Sequence, residues 1–173
     1  WRPISVQRFM FNYTIQEKCR SKGIDIYNPS LDVDITDVIE EVARFWAKPT
    51  SNPLTPPPHS TGAAIDLTIA DLTGKPLDLG GEIDFIGDES TPDFYKNKHT
   101  SMASTKYQIF HLRRSLLVSV MKKAGFAQHP NEWWHFSYGD QLWSWVSKKN
   151  NAIYGASTEV SKDITLSEPS LVT

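Results

Sequence analysis

The chain has 173 residues, 39% hydrophobic and 22% charged, with a net charge of −2 at pH 7. That size and balance fit one ordinary globular domain and exclude a disordered or fibrous chain. The charge offers no basic face to nucleic acid or to an anionic membrane, and no run of about 18 apolar residues could span a bilayer.

Val6, Phe9, Met10 and Tyr13 recur at helical spacing, which predicts a helix over 4–21 that stops at Gly23 after Arg20 and Lys22. The lone cysteine, Cys19, lies on that pattern and has no partner for a disulfide or a cysteine-rich metal site, so a buried or half-buried inert thiol is expected. A turn-rich connection, IYNPSLDVD, follows. Ile35, Val38, Ile39, Val42, Phe45 and Trp46 then form a second helical stripe, with Asp34 or Thr36 as its cap and Pro49 as its end. Residues 49–58, PTSNPLTPPP, are too rich in proline for helix or central strand and predict a stiff extended loop leading to His59.

The alternation in AAIDLTIADL predicts a strand over 63–72, closed by a turn at Thr73-Gly74-Lys75. A long aperiodic loop runs from roughly 80 to 105. Ile109, Leu112, Leu116, Leu117, Val120 and Met121 predict a third helix, with Lys122 and Lys123 at its C-terminal end and Gly125 as its left-handed cap. EWWHFSY reads as a strand, Gly139-Asp140 as a turn and LWSWV as a further strand. Beyond about Gly155 the Ser/Thr/Glu-rich residues are expected to form a flexible tail, 156–173. Helices and a few antiparallel strands around one core make the expected fold class α+β.

Two strings carry chemistry. In HSTGAAID, Gly62 permits a tight turn that lets His59 and Asp66 converge on one point. An imidazole nitrogen and a carboxylate oxygen are good zinc ligands, although a capping aspartate and a satisfied histidine explain that string equally well. EWWHF adds His135 and a spare carboxylate, Glu132. Together the strings offer the complement of a catalytic zinc site: three ligands, one open position and a nearby base. Residues i and i+3 of a regular strand face opposite ways, so Glu132 is expected ahead of the strand, in the turn led by His129-Pro130-Asn131, or at a bulge. His111 is expected on the solvent face of the third helix, and His99 and His129 at the surface.

With these strings the sequence resembles the D-alanyl-D-alanine dipeptidases, zinc peptidases related to the D,D-carboxypeptidases. The family motifs Ser-x-His-x-x-Gly-x-Ala-x-Asp and Glu-x-Trp-His read here as PPHSTGAAID, with Pro57 at the serine position, and EWWH. Tryptophan rather than proline after the glutamate favours the dipeptidase branch. The opening WRP, EIDF at 82–85, the helix with Arg113 and Arg114, and WWHFSYGDQLW extend the likeness from Trp1 to about Tyr154.

The resemblance implies a small, mostly antiparallel sheet packed with about three helices, and a zinc site in a cleft on that sheet. It implies one catalytic domain over 1–155, lacking several tens of residues that relatives carry before WRP. It implies one zinc per chain, held by His59, Asp66 and His135, with Glu132 activating the water and Arg2 stabilising the transition state. Asp84 is then a buried carboxylate that takes the substrate's free ammonium. The expected reaction is hydrolysis of the D-alanyl-D-alanine dipeptide. The alternatives are a D,D-carboxypeptidase acting on peptidoglycan stem peptides, or an inactive fragment that still binds zinc. The expected partner is a small dipeptide, not nucleic acid and not a membrane span.

Overall fold

The computed structural model describes residues 1–27, 34–96, 98 and 104–157. Its contacts divide the chain into two compact units, Trp1–Gly62 with the described residues from Ala156 on, and Ala63–Gly155. His99, most of the 26–34 connection and residues 158–173 of the expected tail lie wholly or in part outside the described residues.

The first unit is built on helix α1, Ile4–Ser21, with the bounds its sequence predicts. Its end is locked where Gly23 N–H donates to Arg20 O and Ile24 N–H to Cys19 O, the paired bonds of a glycine-terminated helix. The packed face differs from the expected stripe. Gln7, Phe11, Asn12, Ile15 and Cys19 are buried, whereas Phe9 and Tyr13 stand exposed. Gln7 can be buried because its side-chain N–H donates to Ala47 O at 2.8 Å, which satisfies the amide inside. Helix α2, Thr36–Ala43, buries Val38 and Val42 as expected. The cap position falls to Ile35, between the two expected candidates, and Asp34 accepts the Thr36 N–H at 2.9 Å from just before it. The helix stops six residues short of Pro49, in a turn where Trp46 N–H still donates to Val42 O. Lys18 and Lys22 of α1 both grip Glu41 of α2.

In the second unit three short strands form an antiparallel sheet in the order β1-β3-β2, with β1 at Ala64–Asp66, β2 at Ala127–Gln128 and β3 at His135–Ser137. The strand expected over 63–72 is thus cut to three residues. Five residues further on, Asp71 reverses the chain, one carboxylate oxygen taking the Thr73 and Lys75 N–H groups and the Thr73 hydroxyl. β2 has no signal in the sequence; it is a two-residue edge that pairs Ala127 with Ser137 and Gln128 with Phe136.

Helix α3, Ser104–Lys123, follows the prediction in extent, and Gly125 takes the left-handed cap position with φ 88°. Its inward face is Phe110, Arg114, Leu117 and Met121, while Ile109, Leu112, Leu116 and Val120 of the expected stripe stand exposed. Leu117 and Met121 join Leu79, Trp133, Trp134 and Phe136 in the buried core. LWSWV is not a strand but part of helix α4, Gln141–Val146. Its alternation imitates a strand, but the buried Asp140 carboxylate caps the Trp143 N–H at 2.7 Å and commits the segment to helix. The class is α+β, as expected. Among the described residues no helix is long and apolar enough to cross a membrane.

Candidate active site

His59 is delivered by local backbone chemistry. Pro57 sits in extended conformation, Pro58–Thr61 form one turn of 3-10 helix, and Gly62 ends it with φ 77°, a left-handed angle that a side chain would strain. The chain's start is tied to this turn, since Arg2 N–H donates to His59 O at 3.0 Å. The Arg2 side chain donates to Gln7 Oε1 at 2.9 Å and lies 5.2 Å from the Trp46 ring centre. It is half-buried and docked, not frayed, although Trp1 before it remains half exposed.

In the second unit the sheet register sets Asp66 directly opposite His135. Asp66 Oδ1 lies 3.1 Å and Glu132 Oε2 3.4 Å from the same ring atom, His135 Nδ1. Glu132 stands ahead of β3, its N–H directed at His129 O, in the turn where it was expected. Glu132 and His135 are only 5% and 4% exposed. Two carboxylates facing one buried imidazole nitrogen concentrate negative charge that only a proton or a cation can balance.

The other ring atom, Nε2, is 3.3 Å from the Ser137 hydroxyl. Ser137 is fully buried between its strand partners Ala64 and Ala127, whose small side chains leave room for it. If that contact holds the Nε2 proton, Nδ1 keeps a lone pair for a metal. The donor chemistry therefore fits a metal ion. Asp66 and His135 supply two donors of the kind a metal takes, and half-buried His59 of the first unit is a further side chain of that kind.

His129 is not at the surface as expected. It is half-buried, its ring centre is 5.3 Å from that of His135, and its N–H donates to His135 O. Its Nδ1 accepts from Asn131 N–H at 3.2 Å, which braces the turn carrying Glu132. His111 is half-buried rather than on the solvent face. The sign available in the sequence was position, since His129-Pro130 leads directly into the motif.

Asp84 departs from expectation in one respect. Its side chain is exposed, not buried, on a loop between Leu79 and Thr91. Its backbone has φ 66°, a left-handed conformation rare outside glycine, and such strain concentrates at functional positions.

Comparison with known proteins agrees with this chemistry. A family model described as D-Ala-D-Ala dipeptidase, peptidase family M15, matches residues 1–154. A D-alanyl-D-alanine dipeptidase of Synechocystis is 44% identical over 149 residues, 84% of this chain and 59% of the relative. Dipeptidases of Enterococcus faecium and Escherichia coli are 33% and 36% identical over 48% and 45% of this chain, covering 37% and 36% of their own lengths. The chain thus spans about three fifths, or less, of the relatives it matches. With the family model covering nearly its whole length, the chain belongs to the D-Ala-D-Ala dipeptidase family of M15 peptidases, hydrolases that work with a metal.

Proposed function

We propose that this chain hydrolyses the D-alanyl-D-alanine dipeptide to two D-alanines, using one zinc ion held by His59, Asp66 and His135. The observation that carries the reading is the convergence of Asp66 and Glu132 on His135 Nδ1. Two nitrogen donors and one carboxylate suit zinc and leave a position open. A bound zinc supplies a Lewis acid and makes water a usable nucleophile near neutral pH.

The side chains divide the remaining work. Glu132, buried and ahead of the strand, takes a proton from the attacking water and returns it to the departing amine. Arg2 meets the negative charge that develops on the carbonyl oxygen, a task suited to a planar, permanently charged guanidinium. Its bond to buried Gln7 and its stacking on Trp46 support this role, because they restrict a long side chain before substrate arrives. Asp84 pairs with the dipeptide's ammonium. Being exposed, it discriminates less sharply than a buried acid would, which gives a D,D-carboxypeptidase some standing as the second reading.

Metal analysis of the purified protein, with hydrolysis of D-Ala-D-Ala set against its N-acetylated form, tests the proposal. The expected result is about one zinc per chain and a clear preference for the free dipeptide. Equal turnover of the two would transfer the assignment to the carboxypeptidase. Bound zinc without turnover would identify a metal-binding fragment.

A further inference from the structure

α3 spends a buried position on Arg114, which is 2% exposed between Phe110 and Leu117. Burying a guanidinium costs several kcal/mol unless its donors are used. Here two of its three nitrogens are used on backbone, while buried Nη2 has no hydrogen-bond partner among the described residues. Nε donates to Leu79 O at 2.8 Å and Nη1 to Thr91 O at 2.9 Å. The guanidinium carbon lies 4.8 Å and 5.1 Å from the ring centres of Tyr95 and Trp133. Burial lowers its pKa to about 10, which leaves it charged at neutral pH.

The two carbonyls are the ends of the loop that carries Asp84. Other bonds reinforce the same ends: Arg113 donates to Asp78 O at 2.6 Å, the Tyr95 hydroxyl to Gly80 O, and Trp133 N–H to Ser90 O at 2.9 Å. Gly80 is required at this junction. With φ 84°, any Cβ there would come within 2.5 Å of both Phe110 and Tyr95. Trp133 directly follows Glu132, so the same guanidinium lies against the segment of the proposed base.

We propose that Arg114 is a positioning residue that clamps both ends of the Leu79–Thr91 loop and so holds Asp84 where it receives the substrate's amino terminus. The inference rests on the role given to Asp84 above. A lysine could not replace it, because one ammonium lacks the planar fork that reaches two carbonyls while stacking on two rings.

Hydrogen exchange read by mass spectrometry on the full chain tests the clamp without requiring turnover. In Arg114→Lys, peptides covering 79–91 should exchange at least about tenfold faster, as for loss of a charge-assisted hydrogen bond, while peptides covering β3 stay as in the wild type. Should that variant not fold, Tyr95→Phe removes only the hydroxyl on Gly80 O and must loosen the same peptides by a smaller factor. Kinetics supply the second arm. Arg114→Lys should raise KM for the free dipeptide more than it lowers kcat, and shrink the preference over the acetylated form. Unchanged exchange in 79–91, or equal acceleration of loop and β3, overturns the clamp whatever Asp84→Asn does. An unchanged preference in Asp84→Asn, with the loop loosened in Arg114→Lys, overturns the Asp84 reading instead.

Discussion

The segments 131–137 and 79–91 both carry residues assigned to the reaction, and they hold them by opposite means. In the first, Glu132 and His135 are fixed by what surrounds them: Trp133, Trp134 and Phe136 are core residues, and the strand is paired on both sides. In the second, the acid is exposed, its neighbours Ile83 and Phe85 are partly exposed, and the Arg114 bonds grip the loop at its ends. The difference suits the tasks proposed for them. Proton transfer and metal binding need groups placed within fractions of an ångström in low dielectric, whereas an ammonium arriving with substrate needs a reachable carboxylate.

That contrast can be broken most decisively at Glu132. Glu132→Gln keeps shape and burial but removes the proton acceptor, so the chemical step should fall by about 10²–10⁴ with metal content intact, as single-turnover kinetics and metal analysis will show. Loss of metal in that variant would make Glu132 a ligand. Trp134→Ala should cost about 3–5 kcal/mol in chemical denaturation, while Phe85→Ala in the loop stays within about 0.5 kcal/mol. Equal costs would erase the distinction between the two segments.

Arg2→Ala, outside both segments, should lower turnover by about 10²–10³ with zinc binding little changed. A parallel loss of stability would mean that Arg2 serves only to dock the chain's start. Asp84→Asn should reduce the preference for free over acetylated dipeptide by about tenfold or less, the scale of one exposed charge pair, with stability unaltered.

The smallest effect belongs to Glu41, whose carboxyl is held below the usual range first by the hydrogen bond from Lys22 and then by that from Lys18. A lowered carboxyl pKa stabilises the fold above the unfolded pKa and loses that contribution as pH falls through the folded one. Glu41→Gln should therefore cost about 0.5 kcal/mol at neutral pH, a gap that closes below about pH 4 in pH-dependent denaturation.

The extents of α1 and α3 were legible because their end signals are local: Gly23 and Gly125 stop them as their positions foretold. Helix faces were less so. Apolar periodicity pointed to Phe9, Tyr13 and the Ile109–Val120 stripe, yet the packed faces include Gln7 and Arg114, whose partners are carbonyls far along the chain. No helical pattern announces such a partner. Within the site, the offset of Glu132 before the strand followed from the two-residue period alone. The His129 ring meets His135 where β2 pairs with β3, which no local pattern announces, whereas Ser137 shares a face with His135 within one strand. LWSWV has the alternation of a strand, but in the fold the Asp140 cap decides for helix.

The pairing of Asp66 with His135 has a consequence for assembly. β1 is only three residues long, so few rungs resist sliding of one strand along the other. A slip of one residue would turn Asp66 to the far side of the sheet and bring Ile65 or Leu67 opposite His135. An ion held by Asp66 and His135 would act as an alignment pin, because only the correctly aligned ladder presents both ligands together. Metal uptake would then proofread the sheet, and misaligned molecules would be those left unloaded.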